Sequence, residues 1–188
     1  MISARPCLSL VTVLIMLLTG CASLNHPPAE PSASIGPYEN FDGRLLMIQP
    51  NKRWQVQIHW QGTVKQGLVR LTHAASGRIV YLKWIGDRMS VLDNQATDAS
   101  ASYKPISKAE LSDQGLVIRP QQLAAILHGN IPASLKQQHA QQWKGKLNQS
   151  LIQLDWNPQL KKLTLKDSTH GNIAMLLIEQ DESPHVPD

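Results

Sequence analysis

The sequence predicts a mainly β domain, a meander of half-buried antiparallel strands with one or two short helices. Three observations carry this. Period-two alternation dominates from Phe41 to Glu179 and is plainest over Arg53–Trp60, where Trp54, Val56, Ile58 and Trp60 fall on one face and Gln55, Gln57 and His59 on the other. The runs are punctuated by turn chemistry at Pro50-Asn51-Lys52, Ala74-Ala75-Ser76-Gly77, Gly86-Asp87 and His170-Gly171-Asn172, which joins consecutive strands as hairpins. Only the middle changes period, where Pro120 occupies a first helical position, Leu123, Ala124, Ile126 and Leu127 follow at helical spacing, and Gly129 ends the turn.

Taken in order, the chain opens with Arg5 as its only charge, runs through apolar Leu8–Leu18, and reads Leu18-Thr19-Gly20-Cys21. The run falls short of the roughly 20 residues a membrane-spanning helix needs, and small residues followed by a Pro-rich stretch mark a cleavage site. This order resembles the bacterial lipoprotein signal, which implies that residues 1–20 are removed and that Cys21 is diacylglycerylated on sulfur and then acylated on nitrogen. The alternative is an ordinary secretory signal with an incidental cysteine. Cys7 leaves with the signal, so Cys21 has no partner for a disulfide. Ala22 and Ser23 follow it, with no aspartate resembling an inner-membrane retention signal, and the expected address is the periplasmic face of the outer membrane.

A tether spans 21–38, proline-rich at Pro27, Pro28, Pro31 and Pro37. Extended at about 3.1 Å per residue, the stretch from Ala22 to Pro37 reaches on the order of 50 Å. The domain occupies 39–180, and 181–188 forms a flexible, Pro- and acid-bearing tail. Strands are expected at Phe41–Ile48, Arg53–Trp60, Gly67–His73, Arg78–Ile85, Arg88–Asp93, Ser150–Trp156, Lys161–Lys166 and Asn172–Glu179. Besides the helix at Pro120, a second is expected over Ala133–Trp143, where Leu135, His139 and Trp143 step by four.

The net charge of +4, which falls by one when Arg5 is removed, contains no basic run pointing to nucleic acid. The seven histidines lack metal-pair spacing, and no nucleophile elbow, phosphate loop or dinucleotide fingerprint is present, so neither an enzyme nor a cofactor is expected. The tryptophans are more informative. Trp54, Trp60, Trp84 and Trp156 share the apolar side of the strands with Val56, Ile58, Val69, Leu71, Val80, Leu82, Ile152 and Leu154. Either these side chains fill a core against the helix, or the helix, through Leu123, Ile126 and Leu127, is too small a lid and a lined hydrophobic cavity remains.

Five segments, in order, resemble the family of the outer-membrane lipoprotein receptor LolB and its periplasmic relative LolA. They are Phe41-Asp42-Gly43-Arg44-Leu45, the tryptophan strand Arg53–Trp60, Leu68–Thr72 with its hairpin, Gly115–Pro120 leading through Leu123–Gly129 to Asn130-Ile131-Pro132, and the closing pair Leu160–Asp167 and Asn172–Glu179. The resemblance implies an incomplete antiparallel barrel lidded by helices, a monomer that accepts the acyl chains of lipoproteins from a soluble carrier and helps insert them into the outer membrane. In the family a protruding loop carries an exposed leucine linked to insertion. The corresponding turn here, Ala74–Gly77, has no large apolar residue, and the chain is short between Pro132 and Ser150. Two other functions fit the same pattern, a lipid or glycolipid carrier and a structural envelope lipoprotein with a filled core.

Overall fold

A computed structural model describes residues 34–95, 102–116 and 118–181. The signal, Cys21, most of the tether and the tail from 182 lie outside them. The eleven strands are β1 (Asn40–Gln49), β2 (Lys52–Gly62), β3 (Gln66–His73), β4 (Arg78–Ile85), β5 (Arg88–Asp93), β6 (Lys104–Pro105), β7 (Leu135–His139), β8 (Gln142–Leu147), β9 (Ser150–Asn157), β10 (Lys162–Asp167) and β11 (Asn172–Asp181). They form one antiparallel sheet in the order β6-β5-β4-β3-β2-β1-β11-β10-β9-β8-β7. The sheet is an incomplete barrel, with edges at β6 and β7. The chain between those edges carries helices α1 (Lys108–Asp113) and α2 (Pro120–Leu127). Two meanders thus meet at a central seam where β1 pairs β11 over eight partner positions.

Register explains the inward face. Phe41, Gly43, Leu45 and Met47 lie opposite Trp60, Ile58, Val56 and Trp54, so alternation puts them on one side. Across the seam Gly43 meets Ile178, Leu45 meets Leu176 and Met47 meets Ala174. Gly43 is required by proximity, since a Cβ there would lie 2.2 Å from the Leu177 carbonyl oxygen.

The helices differ in how they are fixed. In α1, Ser107 Oγ accepts from the Glu110 amide while Glu110 Oε2 accepts from the Ser107 amide at 2.7 Å, a reciprocal cap. Gly115, at φ +82°, ends it, and the Leu116 amide donates to the Leu111 carbonyl. In α2, Pro120 takes the first position and the Arg119 amide donates to Gln122 Oε1. Ala124, Ile126 and Leu127 are fully buried, and Gln121 Nε2 donates to the Gly86 carbonyl at 2.8 Å, binding the helix to the β4–β5 hairpin.

Two expectations change. The helix expected over Ala133–Trp143 is instead the β7–β8 hairpin, turning at Gln141 with φ +62°. The Lys- and Gln-rich segment has too narrow an apolar stripe to bury as a helix, whereas as strands it pairs Trp143 with Leu154 and Gly145 with Ile152. Gly145 also admits the Ser134 carbonyl, which a Cβ would meet at 2.0 Å. Second, the end of the tether belongs to the domain. Ile35 is buried in the core, and the Tyr38 amide donates to the Leu127 carbonyl at 3.0 Å.

Three carboxylates are held below their ordinary range. Hydrogen bonding from Arg78 does this at Asp93, and Ser107 does so at Glu110. At Asp155 burial pushes the carboxyl up, but the amides of Gln142 and Gln153 with Lys166 more than offset it. Groups depressed in the folded state stabilise it above their unfolded pKa, near 4, and lose that contribution as pH falls through the folded values. The melting temperature is therefore expected to fall as pH drops from 5 to 2, and Asp93→Asn to flatten that slope in thermal scans across the same window.

Candidate functional site

The inward side is a packed core that leaves one small hollow among the described residues. In the core Phe41 stacks on Trp60 with centroids 5.9 Å apart and planes at 13°, Trp60 meets Trp84 at 5.2 Å, and Tyr38 meets Trp156 at 5.9 Å. Trp60 and Trp84 are each 1% exposed. Trp84 Nε1 donates to the Thr63 carbonyl at 3.0 Å and its ring rests on Gly62 and Gly67, where a Cβ would collide with it. The indole N–H groups of Trp60 and Trp156 are buried with no partner.

Most residues read from the sequence as cavity wall belong to this packed region. Ile58, Trp60, Val69, Leu82, Trp84, Ile152, Leu154 and Trp156 are members of one buried cluster, with Leu71 packed against it. Val56 is buried beside them, whereas Trp54 and Val80 are half-buried and fall outside the cluster. Of the expected lid residues, Ile126 and Leu127 plug the same core. None of these fourteen lines the hollow; Leu123 alone among the expected lid residues does.

The hollow, an apolar cavity of about 80 Å³, lies under the connection from α1 to α2. Its floor is Leu45 and Met47 of β1, Leu163 and Leu165 of β10, and Ala174 and Leu176 of β11. Its roof is Gly115, Leu116, Ile118 and Leu123, and Asn172 supplies the single polar side chain. Leu116, Ile118 and Leu123 are half-buried, in contrast to the sealed residues Ala124, Ile126 and Leu127. Gly115 seats against Gln49, whose amide a Cβ would strike.

The floor residues escaped sequence reading for a physical reason. Leu45-Leu46-Met47-Ile48 and Ile173–Ile178 are continuous apolar runs, so alternation does not reveal which residues point inward. Both runs occupy the central seam, where Leu46 opposite Met175 and Ile48 opposite Ile173 put half-buried apolar side chains on the outer face too.

Among the described residues a Ser, His and Asp cluster forms at the β10–β11 turn, without the arrangement that activates a nucleophile. His170 Nδ1 lies 2.6 Å from Asp167 Oδ2 and 3.4 Å from Ser150 Oγ. Both partners use the same ring nitrogen, whereas nucleophile activation needs serine on one nitrogen and carboxylate on the other. Asp167 Oδ1 instead accepts the Thr169 amide at 2.9 Å, fixing the β10–β11 turn. Among the described residues no three His, Cys, Asp or Glu side chains converge as a metal site.

No protein-family model matches the chain, and no curated protein does. Among solved structures the chain is similar to a LolA superfamily protein from Nitrosomonas europaea, at 12% identity and a TM-score of 0.42, over 82% of this chain and 90% of that one.

Proposed function

We propose that this domain accepts the acyl chains of lipoproteins handed over by a soluble periplasmic carrier, and that it works from the outer membrane, anchored through acylated Cys21, to help insert them. The observation that carries the reading is the apolar hollow between the β1–β11–β10 floor and the half-buried roof of Leu116, Ile118 and Leu123. The lipobox and the ordered sequence resemblance support it. At about 80 Å³ the hollow is smaller than the roughly 300 Å³ at which ligand pockets begin, so a chain enters by lifting the roof. The weaker cover is the part of the roof outside α2, Leu116 and Ile118, because α2, which carries Leu123, is pinned by its own buried residues and by Gln121. Transfer then runs on differential affinity. The acceptor offers the chain more apolar contact than the carrier, and a bilayer offers more again.

Depleting the protein in its host is expected to leave outer-membrane lipoproteins on the carrier; normal sorting under depletion would sink the receptor role. Binding itself is tested with cis-parinaric acid, which fluoresces in apolar surroundings. Ala174→Leu fills the floor and is expected to raise stability by about 1 kcal/mol while weakening the fatty acid's binding about tenfold. Unchanged binding in that variant would place the chain elsewhere.

A further inference from the structure

We propose that one rim of the barrel is a membrane-docking face that rests on a phospholipid bilayer. Of the five large apolar side chains exposed among the described residues, three stand at the same end of the sheet. They are Val64 in the β2–β3 turn at 44% exposed, Ile85 at the end of β4 at 57%, and Leu160 in the β9–β10 turn at 55%. Of the other two, Tyr103 is capped by the Lys83 ammonium and Leu151 stands beside the opposite turns.

The first two tips are tied to each other, and the third is fixed separately. The Gly86 amide donates to the Lys65 carbonyl at 2.7 Å, tying the Ile85 hairpin to the Val64 hairpin. Trp84 Nε1 grips the Thr63 carbonyl immediately before Val64. On the far side, the Ile178 amide donates to the Lys161 carbonyl and the Lys161 ammonium lies 5.8 Å from the Tyr38 ring centre, fixing the turn that presents Leu160. Apolar side chains held outward on rigid hairpin tips suit insertion among headgroups rather than accidental exposure.

Charge agrees. Lys65, Lys83 and Arg88 are exposed around the first two tips, and Lys161 and Lys162 flank the third. Of the acidic groups there, Asp87 is exposed at the hairpin tip, 3.9 Å from Arg119, while Glu179 is hydrogen-bonded to Arg44, Asp42 lies 2.8 Å from His59 and Glu39 lies 3.9 Å from His128. Basic side chains around apolar tips favour an anionic surface. The opposite end carries Pro50-Asn51, Ala74–Gly77, Asn148-Gln149 and Ser168–Gly171, which are small or polar.

Chain entry selects the bilayer as the occupant. Ser34–Tyr38 leads into β1 at the rim that bears the three tips. Twelve residues lie between Ser34 and the cysteine read as the lipid anchor, at most about 45 Å of fully extended chain. A chain so anchored enters the domain on the side that bears the tips. The placement does not depend on what the hollow binds.

The test uses the mature chain with Cys21→Ala, so that no lipid contributes, carrying a single cysteine labelled with an environment-sensitive nitrobenzoxadiazole dye. Vesicles of phosphatidylglycerol and phosphatidylethanolamine in equal parts are added at low salt. Dye at Val64→Cys or Leu160→Cys is expected to brighten severalfold and shift to the blue, and dye at Ala75→Cys to stay unchanged. Lys65→Glu with Arg88→Glu is expected to lower vesicle partition about tenfold while leaving cis-parinaric acid binding intact. Brightening at Ala75→Cys alone, or none at any position, overturns the docking face. Loss of fatty-acid binding in the parent chain would count against the acceptor reading only.

Discussion

Replacing Cys21 by alanine in the full-length chain is expected to move the protein from the outer-membrane fraction to the soluble periplasm. One acyl chain gives an association constant of only about 10⁴ M⁻¹, but the contributions of two or three chains add, so the cysteine changes partition by orders of magnitude. The basic rim does not replace it, because salt in the wash screens those lysines. The measurement pairs fractionation with the mass of the N-terminal peptide, which in the parent chain should begin at an acylated Cys21. An alanine variant that stays with the membrane, or an N-terminal mass without acyl groups, would refute the anchor.

The second large effect is expected at Trp60, where alanine should cost about 3–5 kcal/mol and lower Tm by roughly 10 °C or more. Its ring lies between Phe41 and Trp84, and it is 1% exposed, so truncation leaves a void that Trp84 cannot fill without leaving its support on Gly62 and Gly67. A domain of this size has about 5–15 kcal/mol in hand, so the variant would be marginal. Trp60→Phe should be much milder, because it keeps a ring in the stack and removes an indole N–H that has no partner. Denaturant titration of both variants separates the two effects. An alanine variant as stable as the parent would mean that the tryptophan cluster is not the centre of the fold.

Where alternation was clean the strands were legible, and their bounds in Arg53–Trp60, Arg78–Ile85 and Ser150–Trp156 fall within two residues of β2, β4 and β9. The helix at Pro120 was legible because its start and its period agreed. The β7–β8 hairpin was not, since Leu135, His139 and Trp143 satisfy a four-residue step as well as a two-residue one, and only pairing with β9 decides between them. α1 was missed although Ser107 and Glu110 stand at capping-box spacing. Its apolar content is slight, with Leu111 as its buried core residue. The place of the hollow was not legible. The tryptophans suggested where apolar surface is concentrated, but bulky rings fill space, and the gap lies where Ala174 and the leucines of the seam leave it.

That seam joins the two extremities of the domain's primary structure. Because β1 takes β11 as its second neighbour, the first strand to be synthesised waits for the last before its backbone groups on that side find partners. Every arrangement short of full length leaves a raw edge through the middle of the sheet, and contacts this distant along the chain form slowly. A nascent copy is therefore kept open along β1 until β11 has been made.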